Sequence, residues 1–173
     1  MKPKNNPKKH KKLPVYIDEE IFVKLISNLI SRHHKIACLL AFESGLRISE
    51  VTGLKKENFD FKNNRIKVIN GKGGKDRWVM LPRDWDEDYI DFIPVDCSNR
   101  ALQTAFYTAR DRAELDHNLH FHSLRHSFAT HMINQGMKIE KISILLGHED
   151  VSTTMIYIHM NPQEIIDEGR RRF

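Results

Sequence analysis

Cysteines and long apolar runs are scarce in this 173-residue sequence. The two cysteines, Cys38 and Cys97, lie far apart and form no C-x-x-C pair, which excludes a disulfide framework and a cysteine-ligated zinc site. No stretch approaches the roughly 18 consecutive apolar residues of a membrane helix, and residues 1–12 are too polar for a secretion signal. We therefore expect a protein of the reducing cytoplasm with no membrane partner.

The charge balance is basic, with 28 lysines and arginines against 23 aspartates and glutamates, a net charge of +5 and a pI of about 9.2. This balance favours a polyanionic partner, although many proteins that never bind nucleic acid share it. Residues 1–13 are rich in lysine and have no apolar face, which predicts a disordered basic arm. The arm either contacts nucleic acid phosphates or only aids solubility. With 40% hydrophobic residues, the remaining chain, 14–173, is expected to form one domain.

Hydrophobic periodicity over residues 14–173 predicts a mainly α fold with a small antiparallel β-sheet, the α+β class. Strands are predicted over 65–69 and 77–81, and residues 83–96 predict a loop with a short helix. Helices are predicted from Asp18, from about His33 to Gly45, over 99–114, from about His122 to Gly136, over 139–147 with Ile139, Ile142 and Leu146 on its apolar side, and over 163–172.

The stretch G-L-R-I-S-E at residues 45–50 opens a further short helix, whose buried side is supplied by Val51 and Leu54. At about 100° per residue, Arg47 projects on that same side. An arginine on a buried side needs an anionic partner. The sequence leaves two alternatives, an external anion or an internal salt bridge with Glu43 or Glu50.

The helix that begins near His122 also places charge among apolar residues. Its apolar stripe consists of Phe121, Leu124, Phe128 and Met132, widened on one side by Ala129 and Ile133. On a helical wheel, Arg125 and His122 both fall within this apolar arc. Burying a guanidinium without a counter-charge costs roughly several kcal/mol, so either an internal carboxylate or an external anion is expected beside Arg125.

The turn between the predicted strands reads G-K-G-G-K and places Lys72 and Lys75 at the tip of a hairpin. Lysines flanked by glycine can reach an external phosphate, although most hairpin lysines are only solvated. The stretch is not a nucleotide-binding loop, because no Ser or Thr follows it and it does not join a strand to a helix.

Ten histidines are many for this length and raise the question of a metal site. His122 and His126 lie four residues apart, but there is no H-E-x-x-H motif and no cysteine ligand near them. We therefore predict neither a metal nor any other cofactor.

Five local motifs follow one another along the chain. They are G-L-R-I-S-E at 45–50, G-K-G at 71–73, H-S-L-R-H at 122–126, L-L-G-H at 145–148 and S-T-T-M-I-Y at 152–157. Together they resemble the signature of the tyrosine recombinase (phage integrase) family, over nearly the whole chain from Asp18 to about Pro162. The resemblance implies the catalytic-domain fold of that family and cleavage of DNA by transesterification.

The resemblance implies that Tyr157 attacks the scissile phosphate, giving a 3′-phosphotyrosyl bond and a free 5′-hydroxyl. Because the bond energy is kept, rejoining needs no ATP. The transition state spreads negative charge over the non-bridging oxygens, and planar, permanently charged Arg47 and Arg125 can hold these oxygens by paired hydrogen bonds.

The resemblance assigns the remaining roles by motif position. Lys72 would protonate the departing 5′-oxygen, with Lys75 as the alternative, and His122 would help the tyrosine to lose its proton. His148 would support the phosphate. Glu50 would either brace the site or lie as a simple carboxylate on the helix surface.

The resemblance implies double-stranded DNA as the partner and a homotetramer assembled on paired DNA sites. The segment after the tyrosine often docks on a neighbouring protomer in this family, and Ile165 and Ile166 suit either that role or packing on their own domain. Two other functions are considered, a DNA-binding relative that keeps the fold without recombining and a type IB topoisomerase-like nicking enzyme. No motif residue is missing, which argues against the first.

Family members normally carry an N-terminal helical domain of about a hundred residues that clamps the other face of the duplex. Only the basic arm precedes the first predicted helix here, so the chain is expected to be a catalytic domain alone, as a fragment or as a minimal enzyme. Its DNA binding is then expected to be weak and strongly dependent on salt.

Overall fold

The structure is a computed structural model that describes residues 16–69, 76–83, 85–147 and 162–173. Its helices are α1 (Glu19–Ser27), α2 (Arg32–Glu43), α3 (Ile48–Thr52), α4 (Asn99–Arg112), α5 (Phe121–Asn134), α6 (Ile139–Leu146) and α7 (Pro162–Arg172). Its strands are β1 (Phe59–Asp60), β2 (Arg65–Val68) and β3 (Arg77–Met80). Short 3₁₀ helices cover Lys56–Asn58, Phe61–Asn63 and Glu87–Phe92. The predicted α+β class is confirmed, and the predicted basic arm lies outside the described residues.

Most predicted helix ends lie within two residues of those in the structure, because local chemistry determines them. Asp18 accepts a hydrogen bond from the backbone N of Ile21 at 2.8 Å and so caps α1 at its predicted start. Gly136 and Gly147 follow α5 and α6 with φ of 81° and 63°, a left-handed conformation that glycine adopts without strain. Both helices therefore end where the sequence places a glycine.

The three strands form one antiparallel sheet in the order β1-β2-β3. Ile66 pairs with Val79 across β2 and β3, and both side chains are fully buried. The next pair on the same face joins Val68 to Arg77. The two predicted strands are thus confirmed, with a short third strand added, while the lysine turn at 70–75 lies outside the described residues.

The core consists of two apolar clusters that meet at α5. The larger cluster contains the buried faces of α1, α2 and α4, the sheet and the first turns of α5. The smaller one joins β3, α5, α6 and α7 through Met80, Phe128, Met132, Met137, Ile142, Leu145, Leu146, Ile165 and Ile166. Phe173 contacts both clusters, since its ring packs against Phe42 and Phe128.

The last helix, α7, packs against its own chain. Ile165 and Ile166 are 2% and 0% exposed, and burying such side chains contributes about 1.5–3 kcal/mol each. A side chain on Gly169 would overlap the sulfur of Met80, so the backbone of α7 lies directly against β3. Glu168 forms ion pairs with Lys141 and Arg172. Of the two dockings considered from the sequence, this chain shows packing on its own domain.

Two predicted apolar faces are narrower than expected. Ile133 is 48% exposed and Ile139 is 68% exposed, so neither lies in the core. Ile133 lies on the flank of α5 that it shares with the half-buried Ala129, and Ile139 is the first residue of α6. The four-residue stripe of α5 that contains Phe128 is buried as predicted.

Cys38 is buried and Cys97 is partly exposed, and both thiols are free. Within the described ranges, no helix combines the length and the apolar composition needed to cross a bilayer.

Candidate functional site

Arg47 immediately precedes α3, and its position is determined by Glu50 one turn later. The Glu50 carboxylate accepts hydrogen bonds from the backbone N and from Nη1 of Arg47, each at 2.8 Å. This closes the start of the helix in the manner of a capping box. The internal salt bridge that the sequence left open is therefore formed with Glu50, while 23% of the Arg47 side chain stays exposed.

Glu50 is the carboxylate at the centre of the site, with a side chain only 8% exposed. Arg77 donates to both of its oxygens, from Nη1 and Nη2, at 2.8 Å each. Burial opposes its charge, but these hydrogen bonds and those from Arg47 outweigh burial and lower the pKa of Glu50 to about 2. Glu50 is thus ionised at neutral pH and braces the site, and it does not lie on the helix surface.

Arg125 is buried as predicted, with 3% of its surface exposed. Its Nη1 donates to the carbonyl of Gly45 and its Nη2 to the carbonyl of Leu146, each at 2.6 Å. Among the described residues, the nearest carboxylate oxygen is Oε2 of Glu50, which lies 3.7 Å from Nη1, beyond hydrogen-bond distance. Burial and the neighbouring Arg47 lower the pKa of Arg125 to about 9, so it remains charged at pH 7.

We call Arg47, Glu50, Arg77 and Arg125 the arginine cluster. It brings three guanidinium groups around one carboxylate, which leaves two positive charges uncompensated within the cluster. Positive charges gathered at low exposure repel one another and are stabilised by an anion placed between them and solvent. Arg47, the most exposed of the three arginines, faces solvent and can meet such an anion first.

His122 does not lie in the buried arc of α5, contrary to the prediction, because it is exposed in the first turn of that helix. His122 lies on the flank of α5 that it shares with Ala129 and Ile133, and this flank is only partly covered, so the buried arc is narrower on that side than predicted. Partial loss of hydration and the nearby Arg125 cation lower its pKa below 6.5. Its ring is therefore neutral at pH 7 and can accept a proton.

His120 and Ser123 close the start of α5. The Nδ1 atom of His120 lies 2.5 Å from the Ser123 hydroxyl, and Ser123 also accepts from the backbone N of His120 at 3.2 Å. His120 is thus the residue that caps the start of α5. In the part of the chain that the structure describes, no group of three or more His, Cys, Asp or Glu residues is arranged to hold a metal ion.

Three of the six predicted site residues are described, and two of them, Arg47 and Arg125, belong to the arginine cluster. The third, His122, is close enough for the Arg125 charge to affect its pKa. Lys72 and its alternative Lys75, together with His148 and Tyr157, lie outside the described residues.

Arg77 is the cluster member that sequence reasoning missed. It is the first residue of β3, pairs with Val68, and its side chain is 9% exposed. The alternation of side chains along a strand could have revealed it, because Arg77 and Val79 point to the same face of β3. On β2, the side chains of that face, Ile66 and Val68, are buried. An arginine in the buried phase of a strand requires a partner, and Glu50 is that partner.

Residues 16–164 match the phage integrase family. The chain belongs to this family. Tyrosine recombinase XerC from Lactobacillus leichmannii is 30% identical over 190 residues, which cover 94% of this chain and 64% of that protein. The chain thus spans less than two thirds of the length of this phage integrase relative.

Solved structures show the same fold. The integrase from mycobacterium phage Brujita superimposes with a TM-score of 0.76 at 22% identity, over 96% of this chain and 60% of that one. The Tn1549 transposon integrase in complex with transposon right end DNA superimposes with a TM-score of 0.63 at 18% identity, over 93% of this chain and 67% of that one. The predicted family and its catalytic-domain fold are confirmed.

Proposed function

We propose that this chain is the catalytic domain of a site-specific DNA recombinase, which cleaves and rejoins DNA through a 3′-phosphotyrosyl intermediate. The observation that carries the proposal is the arginine cluster, in which buried Arg125 and part-exposed Arg47 flank one carboxylate and leave positive charge for an external anion. Because the chain belongs to the phage integrase family and is similar to XerC, the anion that we propose for this cluster is a phosphodiester of DNA.

In this mechanism Arg47 and Arg125 hold the non-bridging oxygens of the scissile phosphate. Arg125 offers five N–H donors in a planar fork, and the two carbonyls that it contacts leave further donors for an oxyanion. Because its guanidinium is already held by the backbone of Gly45 and Leu146, little reorganisation is needed as charge develops. The cluster thereby stabilises the transition state more than the ground state.

Proton transfers complete the reaction. Tyr157 attacks phosphorus as the nucleophile while neutral His122 helps it to lose its proton, consistent with the lowered pKa of that ring. Lys72, or Lys75 as the alternative acid of the same turn, protonates the leaving 5′-oxygen, and His148 supports the phosphate. The reverse steps rejoin the strand, and no metal or cofactor takes part.

The proposed partner is double-stranded DNA, since the Tn1549 integrase that shares this fold is described in complex with DNA. We further propose that four copies of the protein act on two paired DNA sites and that the protein is DNA-associated in the cell. DNA binding by this chain should weaken as the salt concentration is raised, because the groups that it binds are phosphates.

The test uses nicked suicide duplexes, from which cleavage releases a short strand so that rejoining cannot occur. Because the target sequence is unknown, the probe is a pool of duplexes with randomised cores, incubated at low salt and resolved on a denaturing gel. The native chain should form a covalent adduct and Tyr157→Phe should form none. Tyr107→Phe is the matched control, because this tyrosine is exposed on α4, where its ring lies against Arg110 and Phe106.

Each other outcome would contradict a different part of the proposal. An adduct that persists in Tyr157→Phe would show that another residue is the nucleophile. DNA binding without any adduct would favour the DNA-binding relative. An adduct accompanied by relaxation of supercoiled DNA, without strand exchange between two sites, would favour a topoisomerase-like nicking enzyme.

A further inference from the structure

Arg77 uses its guanidinium entirely within the protein. Its Nη1 and Nη2 bind the two oxygens of Glu50, and its Nε donates to the carbonyl of Leu145 at 2.9 Å. Its side chain is 9% exposed, against 23% for Arg47. Every nitrogen of its fork thus has a partner, and it is not placed to touch a DNA phosphate.

The guanidinium of Arg77 determines where the Glu50 carboxylate lies. With both oxygens bound to Arg77, Oε2 of Glu50 stays 3.7 Å from Nη1 of Arg125 and forms no hydrogen bond with it. If Arg77 were replaced by a neutral residue, the nearby cations left to Glu50 among the described residues would be Arg47 and Arg125. Coulomb attraction at low exposure would then draw the carboxylate onto the donors that an incoming phosphate needs.

Arg77 also fixes the end of α6. The last carbonyls of a helix have no partner within the helix, and here Leu145 is bound by Arg77 and Leu146 by Arg125. Gly147, which follows with φ of 63°, lies so close that a Cβ atom on it would be 2.8 Å from Cδ of Arg77. The stem of Arg77 therefore packs against the residue that immediately precedes His148.

We propose that Arg77 is a positioning residue, which keeps Glu50 off Arg125 so that Arg47 and Arg125 retain donors for the phosphate, and which holds the end of α6 in place. The inference rests on the proposed function, because the phosphate is that of the cleaved DNA. Beyond that function, we infer that Glu50 has a second possible position, against Arg125, which would block phosphate binding and which Arg77 prevents.

The test compares Arg77→Gln with the double variant Glu50→Gln/Arg77→Gln. At saturating protein on the suicide duplexes, Arg77→Gln should slow adduct formation on the order of 10²-fold, because misplaced groups lose alignment with the reacting phosphate. The double variant should recover a large part of that loss, since the uncharged amide that replaces the Glu50 carboxylate is not drawn onto Arg125. Because removing the second member of an ion pair can also restore stability, the rates are compared at a temperature at which circular dichroism shows every variant to be folded. Under that condition, a residue that only stabilised the fold would change none of the rates. Arg171→Gln, at an exposed position of α7, is the matched control and should be unaffected.

A second readout requires no cleavage. Inorganic phosphate, titrated at constant ionic strength, should raise the midpoint of thermal unfolding of the native chain, because a ligand that binds only the folded state stabilises it. Arg77→Gln should lose most of this phosphate-dependent rise and the double variant should regain it. If the native chain binds phosphate in this pattern but never forms an adduct, the proposed recombinase function fails while the positioning role of Arg77 stands.

Three results would overturn the inference. The first is an adduct rate for Arg77→Gln equal to that of the native chain at saturation, and the second is a double variant no faster than Arg77→Gln. The third is an unchanged response to phosphate in Arg77→Gln. If Arg77→Gln does not fold, the comparison uses Arg77→Lys and the double variant Glu50→Gln/Arg77→Lys. Arg77→Lys should again be slower than the double variant, because one ammonium group cannot bind both carboxylate oxygens as the planar guanidinium does.

Discussion

Replacing Glu50 by Gln should lower the free energy of unfolding by about 3–5 kcal/mol at pH 7, because it leaves buried guanidinium groups without their counter-charge. The magnitude follows from the pKa of Glu50, which lies at about 2 where 4.5 is usual. That difference corresponds to about 3 kcal/mol of preferential stabilisation of the ionised carboxylate in the folded protein. Arg77 and Arg47 supply most of it through four hydrogen bonds of 2.8 Å.

The pH dependence of the same variant has a definite sign. A carboxyl group whose pKa is lowered by folding contributes its full stability above its unfolded pKa of about 4.5 and loses it as the pH falls toward about 2. The native chain should therefore lose about 1.4 kcal/mol of the Glu50 contribution between pH 6 and pH 3.5. Glu50→Gln should lack this part of the acid sensitivity, so the difference in stability between the two proteins should shrink toward acid.

Urea unfolding at 25 °C, followed by circular dichroism at several pH values, measures this difference directly. Taking the native chain minus the variant cancels the titration of the other carboxylates. Glu57→Gln is the control, since the Glu57 side chain is 74% exposed and lies 3.9 Å from Lys55, so its loss should change stability by about 0.5 kcal/mol or less. A difference for Glu50→Gln below about 1 kcal/mol, or one that stays constant with pH, would refute the argument.

Two further predictions concern packing. Ile166→Ala should lower the free energy of unfolding by about 2–5 kcal/mol and make α7 more sensitive to proteolysis, because Ile166 is fully buried. Its control is Ile139→Ala, at a 68% exposed position, which should change the free energy of unfolding in urea by about 0.5 kcal/mol or less. Gly45→Ala should lower the free energy of unfolding by about 1–2 kcal/mol, because Gly45 has a φ of 67°. The loss should be larger than that, since the new Cβ would lie 2.6 Å from Cδ1 of Phe128. Gly53→Ala, at an ordinary φ of −89°, is the matched control and should have a much smaller effect in the same unfolding assay.

Helix starts and the burial of Arg125 could be predicted from the sequence because both depend on neighbours along the chain. Asp18 caps α1 through a backbone amide three residues later, so the signal and the structure lie within one turn. Arg125 is placed among apolar side chains by the helical repeat alone, and the structure buries it. The order of the motifs likewise identified the family without any coordinates.

The width of the buried face of a helix could not be predicted in the same way. The helical repeat gives the angle of each residue around the axis but not how wide an arc the neighbouring elements cover. His122 and Ile133 were therefore predicted to be buried although both are exposed on the same flank of α5. The docking of α7 on its own chain depends equally on what lies opposite Ile165 and Ile166, which is the surface formed by β3, α5 and α6.

The sequence by itself determined the helices, the strands and the arginines that require an anion, because each of these is specified by residues within a few positions of one another. It determined the family through the order of five such local motifs along the chain. Only the tertiary structure decided that the partner of Glu50 is Arg77, which is 27 residues away on another element. A buried charge requires a partner, but the partner is chosen by whichever chain segments the fold brings within hydrogen-bond distance.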